Sequence, residues 1–165
     1  MAAILGWCQW LENTDLGTAL RESTLMFPVV EGTHLLALGV SVGTIAISDL
    51  RLLGWTMRRE RVSDVMGQLL PWAIGGFVVM MVTGALLFWS EAVGAFNSLW
   101  FRIKMLFLVL GAVNALAYHL TIHRRLPEWD RDPVPPPRAR LAGLLSLLFW
   151  AVVIAAGRST AYNMK

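Results

Sequence analysis

The chain has 165 residues, of which 56% are hydrophobic and only 15% are charged. Soluble domains carry about 25% charged residues, so this composition argues against an ordinary soluble enzyme and favours a single membrane domain. The formal net charge of +3 does not predict a nucleic-acid partner. The basic residues lie in short stretches between apolar blocks, where they indicate membrane orientation.

Residues 1–26 are predicted to form an interfacial segment that precedes the membrane domain. Ile4, Trp7 and Trp10 alternate with polar positions, and tryptophan favours the headgroup layer of a bilayer. We therefore expect one or two short helices that lie on the membrane surface. Cys8 is the single cysteine, which excludes an internal disulfide.

The remainder of the chain, residues 27–160, is predicted to be an all-α integral membrane bundle of four transmembrane helices. The second span is the clearest, because residues 69–89 carry no charge and a transmembrane helix needs about 20 apolar residues. Its glycines, Gly75, Gly76 and Gly84, are expected to allow close approach of another helix. The four predicted spans cover residues 27–50, 69–89, 99–120 and 141–157.

The arginines predict the orientation of the bundle. Loops 51–68 and 121–140 together hold nine of the fourteen Lys and Arg residues, whereas loop 90–98 holds none. The positive-inside rule then places the two basic loops in the cytoplasm and both termini on the periplasmic side of a bacterial inner membrane. Asp49 and Arg51 are expected to form an end-of-helix pair at the cytoplasmic interface.

A carboxylate and an imidazole lie in the first half of the first span, at Glu31 and His34. Ionisable groups at such depth are costly and usually have a function. A neutral imidazole binds metal or haem iron, and a nearby carboxylate can fix its tautomer. We therefore predict that His34 is a metal ligand and that Glu31 orients it or relays a proton.

The depth of each side chain predicts which polar residues can meet. At about 1.5 Å per helical residue, His34 lies roughly 9 Å below Pro28, near the start of the first span. Lys104 lies roughly 7 Å below Leu99, at the start of the third span, on the same reasoning. The two residues are therefore expected at one level in the outer leaflet.

One cofactor-binding cluster of four residues is predicted at this level: Glu31, His34, Arg102 and Lys104. Arg102 and Lys104 would face a haem propionate, a quinone carbonyl or an anionic headgroup, and an ion pair of either with Glu31 would lower the cost of burying both. His119 lies roughly 22 Å deeper than Lys104. His34 and His119 therefore cannot ligate one haem, and His119 is assigned to a second cofactor site.

Several short strings form a pattern that extends over about residues 20–120. They are LRES at 20–23, FPVVE at 27–31 followed by His34, DLRLLG at 49–54, TGALLF at 83–88 and FRIK at 101–104. The pattern resembles an uncharacterised family of small bacterial inner-membrane proteins that carries a domain-of-unknown-function label. The resemblance implies the fold and the membrane location but no activity.

A looser resemblance concerns a histidine on an early helix and a lysine near the start of a later one. His34 and Lys104 are similar in this respect to copper-resistance D-type membrane domains and to haem-dependent four-helix protoporphyrinogen oxidases, which implies haem b or copper as cofactor. The leading hypothesis is a haem b-binding redox or electron-transfer component. The alternatives are a non-catalytic accessory subunit of a larger membrane complex and a copper or small-solute transporter. Expected partners are the lipid bilayer and other membrane subunits or a homo-oligomer, and enzymatic activity is left open.

Overall fold

The structure is a computed structural model that describes residues 2–163. Every regular element within this range is helical, and Met1, which belongs to the predicted interfacial segment, lies outside it. The elements in chain order are α1 (Ala2–Glu12), α2 (Asp15–Glu22), α3 (Met26–Leu52), α4 (Val62–Ser90), α5 (Ala92–Asn97), α6 (Leu99–Ala117), a π-helical turn (Tyr118–Ile122), a 3-10 turn (His123–Arg125), α7 (Leu126–Trp129) and α8 (Pro137–Asn163).

Four helical stretches are long and apolar enough to cross a membrane, which confirms the predicted all-α fold with four spans. They are α3, α4, α6 with its continuation to Trp129, and α8. Each stretch is longer than its predicted apolar core because polar residues continue the helices. At the start of α4, for example, the Asp130 carboxylate caps the helix by accepting hydrogen bonds of 2.7 Å from both the backbone N–H and the hydroxyl of Ser63.

Two connections differ from the predicted loops. The segment after Ser90 contains the short helix α5, and Ser98 then caps α6 by accepting a hydrogen bond from the Phe101 N–H. The third span does not end near residue 120 but continues through the π-helical and 3-10 turns into α7. Apolar side chains explain the continuation, because Tyr118, Leu126 and Trp129 are buried in one cluster against α4 and α8.

The spans pack in the order α4, α3, α8, α6. Close contact between α4 and α3 is possible because Gly76 has no side chain where it meets the backbone of Ser41. At their two ends α4 and α6 are bridged by side chains. The Phe88 and Phe101 rings stack with centroids 5.5 Å apart, and the Tyr118 hydroxyl lies 3.4 Å from the Met66 sulfur.

The helices α1, α2 and α5 cover one end of the bundle, which we name the terminal side. Cys8 and Leu11 of α1 are buried against Ala92 of α5. The indole N–H of Trp89 donates a 2.9 Å hydrogen bond to the Thr14 hydroxyl, which joins α4 to the start of α2. The segment predicted to form one or two short helices contains two, whereas their position on a membrane surface stays a prediction.

The opposite end, which we name the arginine side, is organised by Arg51. Its guanidinium is fully buried and donates hydrogen bonds of 3.1 and 2.8 Å to the Glu60 carbonyl and of 3.1 Å to the Asp132 carbonyl. The expected pair of Asp49 with Arg51 is therefore wrong, because Arg51 binds the backbone of two loops. Asp49 is instead buried where α3 meets α8 and interacts with Ser146.

Candidate functional site

His34 faces α4, where its ring is held by Thr83. The Nδ1 atom lies 3.0 Å from the Thr83 Oγ1 atom. The threonine hydroxyl donates its own hydrogen to the Val79 carbonyl at 2.7 Å, so its oxygen accepts the hydrogen on Nδ1. This tautomer leaves the lone pair on Nε2 as the donor that the imidazole can offer to a metal.

Gly84 completes the surface on which the imidazole lies. A Cβ atom at this position would stand 3.1 Å from the Cε1 atom of His34, closer than ordinary van der Waals contact. The Met80 carbonyl also contacts the imidazole, and the Met80 side chain is buried. Neighbouring residues of α4 therefore determine where the His34 ring lies and which of its nitrogens carries the hydrogen.

Lys104 reaches the same region from α6. Its charge acts on the His34 imidazole, so the two side chains lie within electrostatic range of each other. A Cβ atom added at Gly157 of α8 would lie 3.9 Å from the Lys104 Cδ atom, so the aliphatic stem of the lysine runs along α8. We refer to His34, Thr83 and Lys104 together as the His34 site.

Glu31 lies at the edge of the His34 site. Its charge acts on the His34 imidazole and also on Glu91, the residue that follows α4. The expected ion pair with Arg102 or Lys104 is absent from residues 2–163, where the ion pair recorded within 4.0 Å joins other residues, Arg21 and Glu12. The charge of Glu31 therefore acts both on His34 and on the terminal side, and among the described residues it forms no ion pair with a cation of α6.

Burial raises the pKa of the Glu91 carboxyl, and the nearby carboxylates of Glu12 and Glu31 raise it further. The Arg21 guanidinium opposes this effect and lowers the pKa. The terminal side thus places the carboxylates of Glu12, Glu31 and Glu91 near the guanidinium of Arg21.

Arg102 does not face the His34 site. Its guanidinium donates hydrogen bonds of 3.3 and 3.1 Å to the Phe96 carbonyl and lies 5.5 Å from the centroid of the Phe96 ring. The two cations of α6 therefore diverge, because residues two apart on a helix point to different faces. The prediction that Arg102 and Lys104 act together is wrong in this respect.

His119 lies on the arginine side, fifteen residues beyond Lys104 on a continuous helical stretch. It is exposed, and its Nδ1 atom lies 3.1 Å from the Ala115 carbonyl. Its ring stacks on His123 with a centroid distance of 5.2 Å. The structure thus brings His34, Lys104 and Glu31 together and leaves Arg102 and His119 elsewhere.

Thr83 was missed from the sequence, although a signal for it exists. It lies seven residues before Ser90, which places it roughly 10 Å from the end of α4. That depth matches the depth of His34. Applying the depth argument to uncharged polar residues as well as charged ones would have identified this partner.

The donor set of the His34 site limits which cofactor it fits. Among residues 2–163, no group of three or more His, Cys, Asp or Glu side chains lies close enough to hold a metal ion. A bare ion at His34 would therefore find at most one further donor of those types. A haem supplies pyrrole nitrogens of its own and requires one protein nitrogen, which the Nε2 atom of His34 can provide.

Comparison with curated protein sequences and with solved structures gives no significant match. The four membrane-crossing helices and the His34 site both lie within the region that a family model covers. The resemblance inferred from the sequence is confirmed by this match, which extends over residues 8–163: the chain belongs to DUF6644, a family of unknown function.

Proposed function

We propose that this multi-pass membrane protein binds haem b through His34 and serves as an electron-transfer component. The observation that carries the proposal is the contact of 3.0 Å between Nδ1 of His34 and the Thr83 hydroxyl, which engages one ring nitrogen and leaves Nε2 as the nitrogen that could bind a metal. A hydrogen bond on the ring nitrogen that does not bind the metal orients a metal-binding imidazole and raises its basicity. Bound haem would supply an iron that exchanges single electrons.

Lys104 and Glu31 have distinct roles in this proposal. The lysine ammonium neighbours His34 within the apolar bundle, where it would attract an anionic propionate. Glu31 lies nearer to the terminal side than His34 does. It would help to orient the imidazole or exchange a proton with it. Arg102 has no part in the site, because it is bonded to Phe96.

We further propose that the protein lies in a bacterial inner membrane with its arginine side in the cytoplasm. The basic residues of the loops after α3 and before α8 support this orientation through the positive-inside rule. The terminal side, with both chain ends, would then face the periplasm. The His34 site would consequently lie in the outer leaflet.

An absorbance spectrum of the detergent-purified protein, produced with ample haem supply, tests the proposal. We expect a Soret band and a sharpened visible band after reduction, both lost in His34→Ala. His119→Ala is the matched control, since it also removes an imidazole from a spanning stretch but should retain the spectrum. A folded protein that stays colourless after haem addition, or a His34→Ala variant with an unchanged spectrum, would overturn the assignment.

A second candidate function is that of an accessory subunit in a larger membrane complex. It is supported by α6, which has no fully buried residue and therefore exposes apolar surface along its whole length. Lipid covers such a surface in a monomer, whereas neighbouring subunits would cover it in a complex. This function, rather than haem binding, would be supported if the purified protein were colourless and native mass spectrometry showed it bound to partner chains in a fixed stoichiometry.

A further inference from the structure

A second pair of imidazoles lies outside the His34 site, on the arginine side. His119 and His123 are four residues apart and span the π-helical turn and the first residue of the 3-10 turn. Their rings stack with a centroid distance of 5.2 Å and an interplanar angle of 21°. Turns of the π type are rare and occur frequently at functional sites.

Each ring keeps a nitrogen that no hydrogen bond engages within residues 2–163. The Nδ1 atom of His119 is engaged with the Ala115 carbonyl at 3.1 Å, so this ring donates from Nδ1 and keeps a lone pair on Nε2. The Nδ1 atom of His123 is buried, and it has no hydrogen-bond partner in the part of the chain that the structure describes. A carbonyl that fixes the tautomer is the usual support of a metal-binding imidazole.

The ring spacing allows a shared ion once the two stacked rings turn about their side-chain bonds, so that one nitrogen of each ring faces the ion. Two imidazoles bound at about 2.1 Å to one tetrahedral ion hold their ring centroids about 5 Å apart. We propose that His119 and His123 chelate a divalent transition-metal ion of the kind that imidazole prefers, such as Zn²⁺ or Cu²⁺. This inference is independent of the haem proposal, because it concerns other residues at the opposite end of the bundle.

The surroundings define what kind of site this is. Arg124 and Arg125 follow directly and are exposed, so water and salt screen the repulsion between their charges and a bound cation. The Tyr118 hydroxyl is directed to the Met66 sulfur. No third His, Cys, Asp or Glu joins the pair among residues 2–163, so water or an external ligand would occupy the remaining coordination positions.

His119 is accessible from water, and the ring of His123 beside it is half-buried. His119 lies twenty residues after Leu99, or about 30 Å along the helix, which equals the thickness of the hydrocarbon core. The side chain of His119 is exposed at this level. An ion could therefore reach the pair from the aqueous phase on the arginine side without crossing the bilayer.

Calorimetric titration of the chelator-treated, detergent-purified protein with Zn²⁺ tests the proposal. We expect one equivalent to bind, with affinity at least tenfold lower in both His119→Ala and His123→Ala, because one imidazole cannot chelate. His34→Ala is the matched control and should bind Zn²⁺ as the unchanged protein does. Cu²⁺ added in place of Zn²⁺ should show two coordinated nitrogens in its electron paramagnetic resonance spectrum.

A second measurement needs no variant. Zn²⁺ should protect His119 and His123 from diethyl pyrocarbonate while leaving the reactivity of His34 unchanged, as read by peptide mass spectrometry. Unchanged Zn²⁺ affinity in the double variant His119→Ala/His123→Ala, equal loss in His34→Ala, or absence of protection would each overturn the proposal.

Discussion

The imidazole of His34 on α3 is bonded to the hydroxyl of Thr83 on α4, with 3.0 Å between Nδ1 and Oγ1. The bond joins two spans at matching depth and determines which ring nitrogen carries the hydrogen. A hydroxyl inside an uncharged span thus decides what the histidine of a neighbouring span can bind. The backbone of α4 contributes as well, because it accepts the hydrogen of the Thr83 hydroxyl.

Replacing Thr83 with valine removes the acceptor and leaves the ring N–H without its partner. We expect the change to lower the stability by about 1–3 kcal/mol and the haem affinity by about 10–100-fold. Thermal unfolding in detergent measures the first effect, and haem titration followed by the Soret band measures the second. Thr83→Ser keeps the hydroxyl and should stay close to the unchanged protein; equal losses in both variants would contradict the role assigned to the hydroxyl.

Hydropathy was sufficient to predict the four spans, because a bilayer requires long apolar helices. Depth counting predicted His34 and Lys104 at one level, because rise per residue is nearly constant in a helix. It could not predict the direction of each side chain around the helix. Arg102 was therefore placed in the cluster, although it turns toward Phe96.

The structure of the arginine side was the hardest part to predict, because it depends on contacts with backbone groups that are distant in the sequence. Arg51 and Asp49 are two residues apart and carry opposite charges, which suggested a pair. The guanidinium instead binds carbonyls nine and eighty-one residues away along the chain. A charge pattern contains no information about carbonyl groups, so hydropathy and charge could not reveal this role.

Gly76 and Gly75 provide a matched test of helix packing. A Cβ atom at Gly76 would lie 2.9 Å from the Ser41 nitrogen and 3.0 Å from the Ala37 carbonyl oxygen, and neither backbone can move without shifting α3. We expect Gly76→Ala to destabilise the protein by about 1–3 kcal/mol.

Gly75→Ala meets no heavy atom within 4 Å and should be neutral or stabilising by up to about 1 kcal/mol. Thermal unfolding of both variants in one detergent measures the difference. If the two variants unfolded at the same temperature, the close contact of α3 with α4 would not be as described.

Arg51 should be among the residues most sensitive to substitution on the arginine side. Arg51→Met removes three charge-assisted hydrogen bonds and leaves two loop carbonyls without a donor, so we expect a loss of about 3 kcal/mol or more. Arg51→Lys should recover less than half, because an ammonium cannot reproduce the fork of a guanidinium.

Arg59→Met is the control for Arg51→Met, since Arg59 is exposed and also lies on the arginine side. Proteolysis of the two basic loops provides a local measurement in addition to thermal unfolding. Faster cleavage in Arg51→Met than in Arg59→Met is the expected result. Equal cleavage would show that Arg51 does not hold the loops together.

Glu91 should make the protein less stable as the pH rises. Burial, followed by the carboxylates of Glu12 and Glu31, raises its pKa above the ordinary value of 4.5, and Arg21 opposes the shift only in part. Between these two pKa values the folded chain binds more protons than the unfolded chain, so the free energy of unfolding falls with rising pH.

Glu91→Gln cannot ionise, and its unfolding temperature relative to the unchanged protein should therefore increase as the pH is raised from 4 through neutrality. A difference between Glu91→Gln and the unchanged protein that is constant or decreases with pH would refute the assigned direction.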